Sequence, residues 1–194
     1  FEDLNHPNPN INYFAALKMN QYWPEESMKK LMNNFSNPDV QLRRKSVKAL
    51  GIFGEKALLP VSKLFSKSKD SVIRVSCLKV LVLLASSINL ETYPPEVNNV
   101  IKLALEDNSP EISLALVSFL RQSGEFGIPF LKIICRDANI LKARASITAI
   151  SEIQEPSIEI FLMGLIEDKS LDIMTRQAAG DCLNISLENY KIHQ

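Results

Sequence analysis

The stretch 39–54, DVQLRRKSVKALGIFG, decides the fold of this chain. Leu42, Ser46, Ala49, Leu50 and Phe53 recur at intervals of three and four, which sets them in one stripe along a helix. The small residues in the stripe mark where a second helix comes close. Arg43, Arg44, Lys45 and Lys48 fill the other positions. Asp39 is placed to cap the helix at its start, and Gly54 to stop it in a left-handed conformation.

The same pattern recurs along the chain. Aligned on Leu50, equivalent positions are Met19, Leu81, Leu120, Ile150 and Leu183, separated in order by 31, 31, 39, 30 and 33 residues. Each copy follows a turn rich in Asn, Asp, Ser or Pro, so B helices are predicted at about 10–20, 39–53, 70–86, 110–122, 139–153 and 171–187. Shorter apolar A helices lie between them. Pro24, Pro60, Pro95, Pro129 and Pro156 stand near their starts, where a missing N–H costs little. Phe1–Leu4 would be the tail of a clipped first A helix. No alternation of strand type is sustained, and helix pairs of this length bury their stripe only by stacking on neighbours. The expected class is therefore all-α: an α-α superhelix, or solenoid, of about six helix pairs. The chain 1–194 is expected to form one domain, with repeats at about 1–22, 23–54, 55–87, 88–124, 125–154 and 155–194. At about 10 Å per layer such an array spans roughly 50–60 Å and offers a concave face lined by the B helices.

Composition excludes several classes. The chain is 46% hydrophobic, and Lys plus Arg equal Asp plus Glu at 22 each, so no global charge points to nucleic acid or a membrane surface. The apolar run Val80–Ala85 falls far short of the roughly 20 residues needed to span a bilayer. No secretory signal is visible, and the chain opens on Phe rather than Met, which leaves room for residues before it. Cys77, Cys135 and Cys182 are odd in number and far apart, as expected of a reducing, cytoplasmic setting, and Cys77 and Cys182 read as small core residues. His6 and His193 are the only histidines and lie near opposite ends, so neither a metal site nor a histidine-based triad is expected. No glycine pattern cradles a phosphate.

Function should lie where the copies differ. Positions equivalent to Arg44 are Tyr13, Val75, Leu114, Arg144 and Gln177; those equivalent to Lys48 are Leu17, Lys79, Ser118, Thr148 and Asp181. Cations gather in the second and third repeats, one helical turn apart on one side. The simple alternative is that these charges only solvate a helix face. The interval of 39 residues puts about eight extra residues at 86–95, SSINLETYPP, read as a long loop in which Glu91 and Tyr93 are candidates. Trp23, after Tyr22 and before Pro24, is expected to pack between helices, with a contact point for a partner as the alternative.

The spacing Asp39, Arg43, Ser46, Ala49-Leu50-Gly51 resembles the HEAT repeat as it occurs in phycobiliprotein lyases; Asp70 with Arg74 and Asp172 with Arg176 repeat its Asp-to-Arg interval. Asn8/Asn12, Ser109/Ser113 and Asn139/Ala143 depart from it. His6-Pro7-Asn8-Pro9, the helix Arg43–Gly51, Arg74-Val75-Ser76-Cys77 and Tyr93-Pro94-Pro95-Glu96 are similar to the small Z-type phycoerythrin HEAT-repeat proteins of cyanobacteria. That resemblance implies a phycobiliprotein (phycoerythrin) subunit as partner, a second HEAT-repeat lyase subunit as a further one, and phycoerythrobilin as substrate rather than tightly bound cofactor. The role it implies is to assist thioether attachment of the bilin to subunit cysteines, as a lyase or a lyase-associated chaperone. The rival from another class is a protein-binding scaffold with no pigment. In HEAT proteins the Asp and Arg residues form a ladder of ion pairs between repeats, so Arg43, Arg74 and Arg176 are expected to pair with the Asp four residues earlier. A bilin carries two carboxylates on an extended apolar ring system, which suits Arg or Lys beside apolar and aromatic groups. Arg44, Lys48, Arg74 and Lys79 are the candidates for the carboxylates, with Tyr13 or Tyr93 as stacking neighbour and Arg144 further along the same column.

Overall fold

The computed structural model describes residues 1–88 and 93–192, with side chains up to residue 185. A 3-10 turn at Glu2–Asn5 is followed by eleven helices: α1 (Pro9–Tyr22), α2 (Pro24–Asn33), α3 (Val40–Gly51), α4 (Glu55–Lys67), α5 (Ser71–Ser87), α6 (Pro95–Leu105), α7 (Pro110–Gln122), α8 (Ile128–Ile134), α9 (Ile140–Ser151), α10 (Ser157–Glu167) and α11 (Ile173–Ile192). Among the described residues there is no strand. The expected all-α architecture of helix pairs is borne out, with the odd-numbered helices as B helices and the 3-10 turn in place of a first A helix.

Two compact units are present, Phe1–Ala115 and Leu116–Gln194, dividing within α7. In the first, α1, α3 and α5 pack in series, while α2 lies on α3 and α4 on α5. In the second, α9 packs on α8, α10 and α11. The anchor column lies in the core: Met19, Leu50, Leu81, Leu120 and Ile150 are buried, and only Leu183, in the last repeat, is half-buried.

The B helices begin where the turns dictate. Asn8, Asp39, Asp70, Ser109, Asn139 and Asp172 each accept a hydrogen bond through the side chain from a backbone N–H two or three residues on. These contacts satisfy donors that have no partner inside the helix, at about 1 kcal/mol each. This overturns the expected pairing of each Asp with the Arg four residues later, because the carboxylate is already held by the helix end. Arg43 donates instead to the carbonyls of Asn37 (2.5 Å) and Pro38 (3.0 Å), and Arg176 to that of Ile166 (3.0 Å). Arg74 pairs with Asp107.

Ties at one-repeat spacing do run between layers. Besides Arg74–Asp107 in the first unit, Asn20 donates to the Ile52 carbonyl (3.2 Å) and Asn99 to the Ser66 hydroxyl (3.0 Å). In the second unit Arg121 pairs with Glu152 and Arg136 with Asp168.

Four expectations are corrected. Pro60 is inside α4, not in its first turn, because the helix starts at Glu55 and its buried stripe of Ala57, Leu58, Val61 and Phe65 runs straight through the proline. Gly54 does not stop α3 in a left-handed helical conformation; at φ 61°, ψ −145° it forms the turn into α4, a backbone region open to glycine alone. Ser86 and Ser87 are helical, so part of the extra length extends α5. Cys182 is half-buried, whereas Cys77 and Cys135 are fully buried.

Candidate functional site

The face formed by the B helices of the first unit has a distinctive charge. Helices α1, α3 and α5 carry Lys18, Arg43, Arg44, Lys45, Lys48, Arg74 and Lys79 and not one Asp or Glu. Arg43 and Arg74 are half-buried and turn inward to the contacts described above. Arg44, Lys48 and Lys79 are exposed. Among the described residues no carboxylate pairs with any of these three.

The columns chosen from the sequence do face solvent. In the first unit Tyr13, Arg44 and Leu114 are exposed and Val75 is half-buried; beside them Lys48 and Lys79 are exposed and Leu17 half-buried. The stripe behind them, Ala16, Val47, Leu50, Leu78 and Leu81, is buried. The unit therefore presents cations one turn apart beside an aromatic ring and apolar side chains, the composition an anionic, extended apolar molecule requires. In the second unit Arg144, Thr148, Gln177 and Asp181 are exposed in the corresponding positions, and there the charges are of both signs.

Arg74 is tied into the joint between repeats. Its guanidinium pairs with Asp107, donates to the Leu103 carbonyl (3.3 Å) and lies 4.3 Å from the centre of the Phe65 ring. Tyr93 is only 8% exposed, so its ring belongs to the interior rather than to a loop surface; burial of an aromatic ring outweighs exposure of its hydroxyl. Glu91 lies outside the described residues.

Trp23, by contrast, is at the surface. It is 60% exposed and tilted against Tyr22 with ring centres 5.6 Å apart, which corrects the expectation that it packs between helices: the turn from α1 to α2 is too tight to enclose an indole. Phe14, which drew no attention in the sequence, is equally exposed and meets Tyr13 edge-on at 5.9 Å. The signal for it was present. An aromatic stands at 14 where the copies in α3 and α5 have Lys45 and Ser76.

Burial pushes the Cys77 and Cys135 thiols up to about 12, so neither is a thiolate at neutral pH. Among the described residues no group of three or more His, Cys, Asp or Glu is arranged to hold a metal ion, and no helix is long and apolar enough to cross a membrane.

No family model matches this chain. The bilin biosynthesis protein CpeZ of Synechococcus sp. (strain WH8020) is 26% identical over 169 residues, covering 84% of this chain and 91% of that protein. The resemblance read from the sequence is borne out. The uncharacterized phycocyanin operon protein Z of Pseudanabaena tenuis (strain PCC 7409) is 25% identical over 188 residues, covering 95% of this chain and 92% of its own length. Among solved structures, the complex of CpcE and CpcF of phycocyanin lyase from Nostoc sp. PCC7120 aligns with 15% identity and a TM-score of 0.32, covering 95% of this chain and 92% of that one. A designed armadillo repeat protein aligns with 16% identity and a TM-score of 0.40, covering 94% and 96%.

Proposed function

We propose that this chain binds a phycobiliprotein subunit together with a bilin, phycoerythrobilin, and assists thioether attachment of the pigment to subunit cysteines in the cytoplasm. It acts as a lyase or as a chaperone to one, with a second HEAT-repeat lyase subunit as a further partner. The observation that carries this reading is the carboxylate-free face of α1, α3 and α5, where Arg44, Lys48 and Lys79 stand beside Tyr13, Leu17 and Val75 with no carboxylate partner among the described residues. Two pigment carboxylates would be met there by cations, and the rings by apolar side chains. The kinship with bilin-biosynthesis proteins supports the choice of pigment class.

The chemistry asks little of this chain. The subunit's thiol adds across a carbon–carbon double bond of the bilin; a sulfur–carbon bond forms, the double bond is consumed, and the thiol proton passes to the pigment. What the chain supplies is position: holding sulfur and carbon in register replaces a chance encounter, and covering the pigment suppresses addition at the wrong carbon. Its own buried Cys77 and Cys135, kept as neutral thiols, do not compete as acceptors.

Co-expression with a phycoerythrin subunit under phycoerythrobilin supply tests the reading. Covalent pigment yield is expected to rise; an unchanged yield with no coloured complex overturns it. Free bilin added to the purified chain separates the scaffold alternative, which predicts no spectral change. Arg44→Ala and Lys48→Ala are each expected to weaken pigment binding by about tenfold, the scale of one hydrogen bond to a charged group.

A further inference from the structure

Helix α5 lies inside the first unit, packed on α3 and α4. The side that its neighbours leave partly open is the row Val72, Val75, Lys79 and Val82, spaced three, four and three residues apart and so in line along the helix. Val72 and Lys79 are exposed; Val75 and Val82 are half-buried. Helix propensity does not select valine at such positions, because its branched side chain loses freedom against the preceding turn. On α3 the same positions, 31 residues earlier, are Gln41, Arg44, Lys48 and Gly51. Two neighbouring rows therefore differ in kind. The α3 row presents two cations one turn apart among polar residues, and the α5 row presents one cation among valines. The helices that carry them come close, since a Cβ at Gly51 would stand 2.9 Å from that of Leu83 on α5.

We propose that Lys79 holds no pigment carboxylate but contacts the uncharged ring system, with Val72, Val75 and Val82 beneath the rings; the assignment rests on the pigment-binding function proposed above. The pigment has two carboxylates, carried on neighbouring rings along one edge. Arg44 and Lys48, four residues apart on one helix with Cβ atoms about 5–6 Å from each other, already present two cations along one edge. Lys79 is the third. It stands on the next helix, about 8–10 Å away from axis to axis, so a pigment anchored on α3 lays its uncharged part over it. What an ammonium group meets there is a carbonyl oxygen at the end of the ring system, a neutral acceptor that it satisfies with a charge-assisted hydrogen bond. The valines and the covering pigment keep water from that contact, so the charge acts strongly on the conjugated electrons beside it. Lys79 thereby determines which end of the pigment lies over α5.

Phycoerythrobilin is titrated into the purified chain, and the Kd and the absorption maximum at saturation are read separately. Saturated carbons insulate the carboxylates from the conjugated electrons, so Arg44→Ala and Lys48→Ala should raise the Kd and leave the maximum in place. Lys79→Met, which keeps the length and removes the charge, should raise the Kd about tenfold and also displace the maximum. Lys79→Arg, which keeps the charge, should return the maximum to its wild-type position. Val72→Ser combined with Val75→Ser should raise the Kd by about tenfold through lost apolar contact. Far-UV circular dichroism checks that the variants retain the fold. If the Lys79→Met maximum coincides with that of wild type, whatever its Kd, the assignment is overturned while the proposed function stands. An unchanged Kd in the double valine variant overturns it equally. If wild type leaves the pigment's absorption unaltered, the assignment and the proposed function both fall.

Discussion

Arg74 pairs with Asp107, 33 residues ahead, and not with Asp70, four residues behind. The guanidinium thereby bridges one repeat to the next, with both side chains largely withdrawn from solvent and the Phe65 ring beneath the cation. Arg74→Ala leaves the Asp107 carboxylate half-buried without its cation. It is expected to destabilise by about 3 kcal/mol, the lower end for a desolvated pair broken on one side. Arg74→Lys should recover little, since an ammonium cannot both lie flat on a ring and reach the Leu103 carbonyl. Urea denaturation of the two variants checks this, and an Arg74→Lys midpoint equal to wild type would refute the role of shape.

Pro60 interrupts the hydrogen bonding of α4 six residues into the helix, leaving the Lys56 carbonyl without its backbone donor. Pro60→Ala restores that bond and is expected to stabilise the protein, by up to about 3 kcal/mol. Thermal melting gives the sign directly; a lowered Tm would mean that the ring's packing outweighs the bond it removes.

Gly127 has no room for a side chain. A Cβ there would lie 1.9 Å from the Leu120 carbonyl oxygen, a backbone atom that cannot rotate away. Gly127→Ala is expected to cost about 1–3 kcal/mol, as overpacking of a close joint does. Gly164→Ala, where nothing stands within 4 Å, is the control and should be neutral or mildly stabilising.

The thiols should separate by burial. Cys77 and Cys135 remain protonated up to about 12, whereas Cys182 is half-buried. With a thiol reagent at pH 8, Cys182 is expected to react first and the other two only as the protein unfolds. The sign for stability follows. A thiol whose folded pKa is raised keeps its proton while the unfolded chain gives its own up above about 9, so the contribution is full below that pH and is lost between about 9 and 12. Cys77→Ala should flatten that alkaline decline, and an unaltered profile would count against it.

The repeat was legible because the stacking force acts on a side chain every third or fourth residue and leaves the same stripe in each copy. Leu50 and its equivalents therefore located the core, and Asp39 located the start of α3 to the residue. Pro60 was misplaced because a proline's local preference for a first turn is real but weak beside a buried stripe that spans it. Tyr93 and Trp23 were reversed for a related reason. Chain-local signals tell that a residue is in a turn, not which side of the turn the neighbouring helices leave open. The partners of the arginines were out of reach altogether, since a carboxylate four residues away and one a whole repeat away look alike until the caps are known to have claimed the first.

The chain's formal charge is zero. Yet the helices α1, α3 and α5 hold cations alone, and the carboxylates of that unit sit elsewhere, in α2, α4, α6, α7 and the turns. Such sorting gives the unit an electric dipole, and a dipole exerts torque before contact. An anionic molecule drifting within a Debye length is turned as well as drawn, arriving with its charged edge toward Arg44 and Lys48. Capture would then be fastest in dilute salt and would slow as ions are added, while the helices themselves, held by buried apolar stripes, stay as stable as before.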